Sequence, residues 1–128
     1  MPESVKDRCT KSHEYIFLLS KNQNYYFDTQ YEPSVNTDKR RKRSVWEVQL
    51  KPYKGAHFAT YPTDLIVPCI LAGSRIGDIV LDPFFGSGTT GVVSNRYCRN
   101  WVGCELNEDY KILQDERLER NGLDPFFN

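Results

Sequence analysis

The chain is short of the residues that metal, redox and membrane chemistry draw on. Its 128 residues include two histidines, four cysteines and one methionine. Cys9, Cys69, Cys98 and Cys104 never fall in a C-x-x-C spacing, which removes the usual zinc and dithiol arrangements. No metal site is expected, and the thiols read as reduced groups of a cytoplasmic protein. No apolar run approaches the ~20 residues needed to cross a bilayer. No signal-like apolar stretch follows Met1. No two prolines are adjacent anywhere. The formal net charge is zero, so the whole-molecule field gives no pull on a polyanion.

What charge there is lies unevenly. Residues 1 to 54 hold 11 Lys and Arg against 7 Asp and Glu, and residues 55 to 128 hold 6 against 10. A basic first part and an acidic second part fit a polyanion partner on one side only. The length allows a single domain, 1–128, with a modest core.

Hydrophobic patterning divides that domain into three segments. In residues 1–28, Glu14 to Ser20 is apolar on both faces and Tyr25-Tyr26-Phe27 is a second aromatic run. The polar break between them predicts a β-hairpin. Within residues 29–54, Thr29 to Arg43 has little apolar content, ends in Lys39, Arg40, Arg41, Lys42 and Arg43 in a row, and reads as a mobile loop. Val45 to Leu50 alternates enough to be a short strand. Residues 55–121 alternate in type. A helix is expected over Thr63 to Ala72, with Pro68 tolerable only near its first turn. A strand follows at Ile79 to Asp82, then a helix from about Ser87 to Tyr97 and a strand from Trp101 to Glu105. Asn107 can cap a last helix, Glu108 to Arg120. The order predicts an α/β fold built on a βαβα unit.

The chemistry centres on the first of these strands. Asp82-Pro83-Phe84-Phe85-Gly86-Ser87-Gly88-Thr89-Thr90-Gly91 runs from strand to helix, and Glu105 follows 23 residues after Asp82. The glycines alone fit either a tight structural turn or a nucleotide site. Asp82 speaks against a dinucleotide. Beside a pyrophosphate its carboxylate would cost on the order of 4 kcal/mol at about 4 Å and an effective dielectric near 20. Pro83-Phe84-Phe85 also puts bulk where a pyrophosphate would approach. The same anion suits a cationic ligand such as S-adenosylmethionine (SAM), whose sulfonium and ammonium carry no phosphate. Glu105 can accept from both ribose hydroxyls, and Leu106 can pack on adenine. An NAD site shares the Glu105 role, so Glu105 does not discriminate.

Asp82 to Thr90 resembles the SAM-binding motif of the DNA amino-methyltransferases that act on cytosine N4 or adenine N6. His57-Phe58-Ala59-Thr60-Tyr61-Pro62 resembles the motif before it in the permuted, β-class members, and Gly103 to Tyr110 the acidic segment after it. Pro2 to Arg8 and His13 to Lys21 are also similar to the family. The resemblance implies a partial Rossmann-like SAM-dependent methyltransferase fold and SAM as cofactor. It implies a site lined by His57, Phe58, Ala59, Asp82, Pro83, Phe84, Gly86, Ser87, Gly88, Thr89, Thr90, Glu105 and Leu106. It places Lys39 to Arg43, with Trp46, in the region that recognises double-stranded DNA, and a solvated basic loop is the alternative reading. The reaction implied is methylation of an exocyclic amino group on a flipped base, in a restriction-modification setting. The family's catalytic motif, an Asp, Asn or Ser before Pro-Pro-aromatic, has no counterpart here. The resemblance therefore implies the C-terminal, cofactor-binding portion of a methyltransferase, with no catalytic residue in this chain. Such a portion acts with a complementary N-terminal half or remains a non-catalytic SAM-binding subunit.

Overall fold

The computed structural model describes residues 6–35, 38–49 and 61–122. Its centre is one βαβα unit preceded by a helix. Helix α1 spans Thr63–Gly73, β3 spans Ile79–Asp82, α2 spans Thr89–Arg96, β4 spans Asn100–Gly103 and α3 spans Tyr110–Gly122. Ahead of these lie two-residue strands, β1 (Tyr31–Glu32) and β2 (Arg40–Arg41).

Strands β3 and β4 pair in parallel, with Asp82 opposite Gly103. A parallel pair requires a crossover, and α2 supplies it. Alternation along the strands separates two faces. Val80, Trp101 and Gly103 are partly shielded on one side, and α2 packs against β4. Ile79, Leu81 and Val102 lie exposed on the other. Helix α2 also packs against α1 and α3, so the core forms around it: Ile70 and Ala72 from α1, Val92 and Val93 from α2, and Phe85 from the β3–α2 turn. Arg99 ties the start of β4 to the end of α1 by donating to the Ser74 carbonyl at 2.8 Å.

The helices and the two parallel strands match expectation to within two residues at most ends. Pro68 departs from it, sitting as the sixth residue of α1. It lacks the amide that would reach back to Asp64, and burial of Ile70 and Ala72 just beyond it holds the helix together. The last helix opens later than expected. Asn107 still prepares it, accepting from the Asp109 amide through its side chain at 3.0 Å.

The first 49 residues depart further. Glu14 to Ser20 and Tyr25 to Phe27 form no ladder, and Tyr15, Ile16, Phe17, Leu18 and Leu19 are all exposed. An extended segment becomes a strand only where a neighbour completes its hydrogen bonds, and none of the described residues does so here. Val45 to Gln49 likewise pairs with none of the described residues, and Leu50 lies outside them. The basic run, read as a free loop, is instead pinned by β1 and β2, which pair antiparallel with Tyr31 opposite Arg41 and Glu32 opposite Arg40. Two further backbone bonds, Lys42 to Gln30 and Asp28 to Ala72, carry this part onto α1.

Candidate functional site

Asp82 and Glu105 emerge at the same end of the parallel pair, one closing β3 and the other two residues past β4. The ladder continues beyond the strands. Cys104 donates to the Asp82 carbonyl at 2.9 Å, and Phe85 donates to the Cys104 carbonyl at 2.8 Å. Both acids are thereby anchored by backbone at the carboxyl edge, where open α/β sheets form their ligand crevice.

The Asp82 carboxylate is held on both oxygens. Oδ1 accepts from the Phe84 amide at 2.9 Å, which folds the chain into its turn. Oδ2 accepts from Thr90 Oγ1 at 2.6 Å and from the Tyr61 hydroxyl at 3.1 Å. Tyr61 and Thr90 are themselves 2.7 Å apart. Two hydroxyl protons therefore serve three close contacts, and Tyr61 can donate to only one of its two neighbours at a time. Burial raises the Tyr61 pKa above its ordinary 10.0, and the adjacent Asp82 charge raises it further, against a lowering contribution from Thr90.

Glu105 is equally engaged. Its Oε1 accepts from the Asn107 amide and its Oε2 from the Gly86 amide, both at 2.8 Å. The Asn107 amide first, then those of Gly86 and Leu106, hold the carboxyl below its ordinary 4.5. Glu105 thus staples the glycine turn to the end of β4 and also faces an open cleft of about 650 Å3. That cleft is lined by Phe85, Gly103, Glu105, Asn107, Ile112 and Gln114, among others.

The turn itself depends on backbone that side chains tolerate poorly. Gly86 and Gly88 have φ of 49° and 80°, and Gly88 is the N-cap of α2. Between β3 and these glycines the two phenylalanines part company. Phe84 is 86% exposed, whereas Phe85 is 4% exposed and stacks on Trp101 with ring centroids 4.8 Å apart. Its bed is cut by two more glycines. A Cβ at Gly103 would come within 2.4 Å of the Phe85 ring, and one at Gly91 within 2.8 Å.

Helix α3 holds the turn from a further side. Gln114 donates to the Gly86 carbonyl at 2.7 Å. Arg117 donates to the Ser87 carbonyl at 3.0 Å, to Ser87 Oγ, and to Thr89 Oγ1 at 3.1 Å. Ser87, Thr89 and Thr90 are consequently buried side chains with internal partners, and Pro83 and Leu106 are exposed. His57, Phe58 and Ala59 lie outside the described residues.

Four residues that shape the site escape sequence reasoning: Tyr61, Phe85, Gln114 and Arg117. Tyr61 stands inside the quoted His57 to Pro62 motif, which gives its hydroxyl no role of its own. Gln114, Arg117 and Leu118 had a signal in their i, i+3, i+4 spacing, which puts them on one helix face.

The basic segment presents a different picture. Arg40 pairs with Glu32 at 2.9 Å, an exposed pair of little energetic weight. Lys39 lies 5.1 Å from the Tyr31 ring centre, and Lys42 lies 4.7 Å from that of Trp46. The Trp46 indole donates to the Arg43 carbonyl at 2.6 Å. Lys39, Arg40, Arg41 and Arg43 are exposed, and Lys42 is half-buried.

Comparison with known proteins gives these arrangements a context. The profile of the N6/N4 methyltransferase family, described as DNA methylase, matches residues 1–115. The type II methyltransferase M.Cfr9I of Citrobacter freundii is 53% identical over 124 residues, covering 93% of this chain and 40% of that protein. M.SmaI of Serratia marcescens is 54% identical over 123 residues, covering 93% of this chain and 42% of that protein. The chain thus spans about 40% of the length of the curated relatives it matches. Among solved structures, that of the M1.HpyAVI–SAM complex is 28% identical over 77% of this chain and 45% of that one, with a TM-score of 0.57. The fold is α/β and partial Rossmann-like.

Proposed function

Because the chain belongs to the N6/N4 DNA methylase family, we infer that the site between Asp82 and Glu105 holds S-adenosylmethionine. On this reading these 128 residues are the cofactor-holding portion of a site-specific DNA amino-methyltransferase. When bound, SAM supplies an electrophilic methyl group on a positive sulfur, for transfer to cytosine N4 or adenine N6.

The donor set fits that cofactor. Asp82 is a carboxylate held by a tyrosine and a threonine hydroxyl and by one amide, and none of these three partners is a cation. It therefore offers an anion to a cation and opposes a diphosphate. This is the observation that carries the reading. Gly86 and Gly88 let backbone approach a ligand closely, and Asp82, Gly86, Gly88, Thr89 and Thr90 would serve its methionine end. Thr90 acts through its bond to Asp82. Glu105 would exchange part of its backbone bonding for the ribose hydroxyls. Phe84 and Leu106, both largely exposed, have apolar surface available for an adenine. His57, Phe58 and Ala59 remain the expected opposite wall.

DNA is the expected partner of Lys39 to Arg43 and Trp46. Their guanidinium and ammonium groups would neutralise phosphates rather than read bases, so binding should weaken steeply with salt. Without adjacent prolines before an aromatic residue, no group here is assigned to grip the target amino nitrogen. A complementary N-terminal half of the domain would supply it. A SAM-binding subunit with no catalysis of its own is the second reading, and the same absent motif favours it.

Titration calorimetry of the full chain with SAM and separately with NAD tests the cofactor assignment. Uptake of SAM and not of NAD is expected. NAD uptake without SAM uptake would reverse it.

A further inference from the structure

Four hydrogen bonds hold the peptide groups of the glycine turn. Glu105 takes the Gly86 amide, Gln114 the Gly86 carbonyl, Arg117 the Ser87 carbonyl, and the Phe85 carbonyl takes the Gly88 amide at 2.9 Å. Two of these four come from α3, 28 and 30 residues further along the chain. In a trans peptide the carbonyl and the following amide point in opposite directions. A Gly86 carbonyl drawn to Gln114 therefore turns the Ser87 amide away from α3. A Ser87 carbonyl drawn to Arg117 does the same for the Gly88 amide.

Helix stability does not explain this use of an arginine. Its guanidinium reaches Thr89, the first residue of α2, where the helix dipole disfavours positive charge. Nor is α2 capped by any side chain. What the arginine does supply is one guanidinium nitrogen, Nη1, within reach of three oxygens, the Ser87 carbonyl and the Ser87 and Thr89 hydroxyls, so that its two N–H groups are shared between the turn and the first helical residue.

We propose that Arg117, with Gln114 beside it, is a positioning residue for the cofactor. It touches no ligand, and sets the peptide orientations of Gly86 to Thr89 in advance, so that the turn is already shaped when SAM arrives. The inference rests on the SAM reading above and adds to it residues from the last helix. The energetic effect is on preorganisation, since a turn free to rotate its peptides would have to be ordered on binding.

The test uses the full chain and the substitutions Arg117→Met, Arg117→Lys and Gln114→Met. SAM affinity is measured by calorimetry, amide exchange of Gly86, Ser87 and Gly88 by NMR, and the fold by urea unfolding. In Arg117→Met, exchange at the turn should rise while that of the β3–β4 amides stays put, and the SAM Kd should rise about tenfold or more. Arg117→Lys should recover only part of the loss, because the lysine nitrogen stops one bond short of the position of Nη1 and lacks the rigid guanidinium plane that fixes it there. Should Arg117→Met fail to fold, Arg117→Lys and Gln114→Met decide. SAM binding within twofold of wild type in folded variants overturns the inference and leaves the cofactor reading intact. Failure of the wild-type chain itself to bind SAM overturns both.

Discussion

Asp82 sets the chemistry of the site at the smallest scale. Replacing its carboxylate by an amide keeps an oxygen for the Phe84 amide, lets the new nitrogen donate to the Thr90 and Tyr61 hydroxyl oxygens, and removes the charge. Asp82→Asn should therefore leave the fold in place and weaken SAM binding by about tenfold or more, the range of a lost charge-assisted bond. Calorimetry with an unfolding control checks this. Tyr61 offers a second, independent readout. Its native pKa lies above the ordinary 10.0, so the folded state retains its proton where the unfolded state loses it. The contribution of Tyr61 to stability is thus complete below pH 10 and is lost as pH rises toward the native value. Tyr61→Phe should flatten the decline of the urea midpoint above pH 10, compared with wild type. Glu105 carries the opposite sign. Its pKa is depressed, so its contribution is present above 4.5 and lost as pH falls through the lower, native value. Acid unfolding of Glu105→Gln should accordingly be less steep below pH 4.5.

At the scale of elements, Phe85 is the joint. It sits between β4, α2 and α3 and occupies space that Gly103 and Gly91 leave open. A methyl group at position 103 would come within 2.4 Å of the Phe85 ring, which is itself stacked on Trp101. Gly103→Ala should destabilise the chain by about 1–3 kcal/mol, as overpacking does. Phe85→Leu combined with it should recover part of that loss, and a urea double-mutant cycle measures the coupling. This joint also explains what could be read in advance. α1, α2, α3 and the β3–β4 pair follow from local period, capping and the strand–turn–helix spacing, all written within a few residues. That Asp82, Gly86, Gly88 and Glu105 meet at one edge is legible for the same reason. Phe85 was visible only as bulk, because its burial depends on absent side chains 6 and 18 residues away. Arg117 was invisible as a site residue because its partners lie 28 and 30 residues back. The hairpin failed differently. Glu14 to Phe27 has the composition of strands, but strand composition specifies a need for partners and not their presence.

The whole molecule combines a closely hydrogen-bonded carboxyl edge with exposed apolar surroundings. One face of the parallel pair exposes Ile79, Leu81 and Val102, and the segment from Tyr15 to Leu19 is also exposed. Parallel sheets are ordinarily covered on both faces, and the chain spans about 40% of its curated relatives. Incubated alone with radiolabelled SAM and mixed-sequence DNA, the chain should transfer no methyl groups while still binding the cofactor. Turnover unaided would remove the division of labour argued above. Filter binding of duplex DNA should weaken by on the order of tenfold or more between 50 and 200 mM salt if several residues of the basic run contact phosphate.

The two tryptophans stand one in each working region. Trp101 lies against the ring at the root of the glycine turn, and Trp46 lies under an ammonium in the basic run. The protein therefore carries its own pair of optical reporters. Emission from an otherwise unaltered Trp46→Phe chain would follow events at the glycine turn, and emission from Trp101→Phe would follow the approach of a polyanion. A single fluorimeter could then show whether the two regions answer to one another.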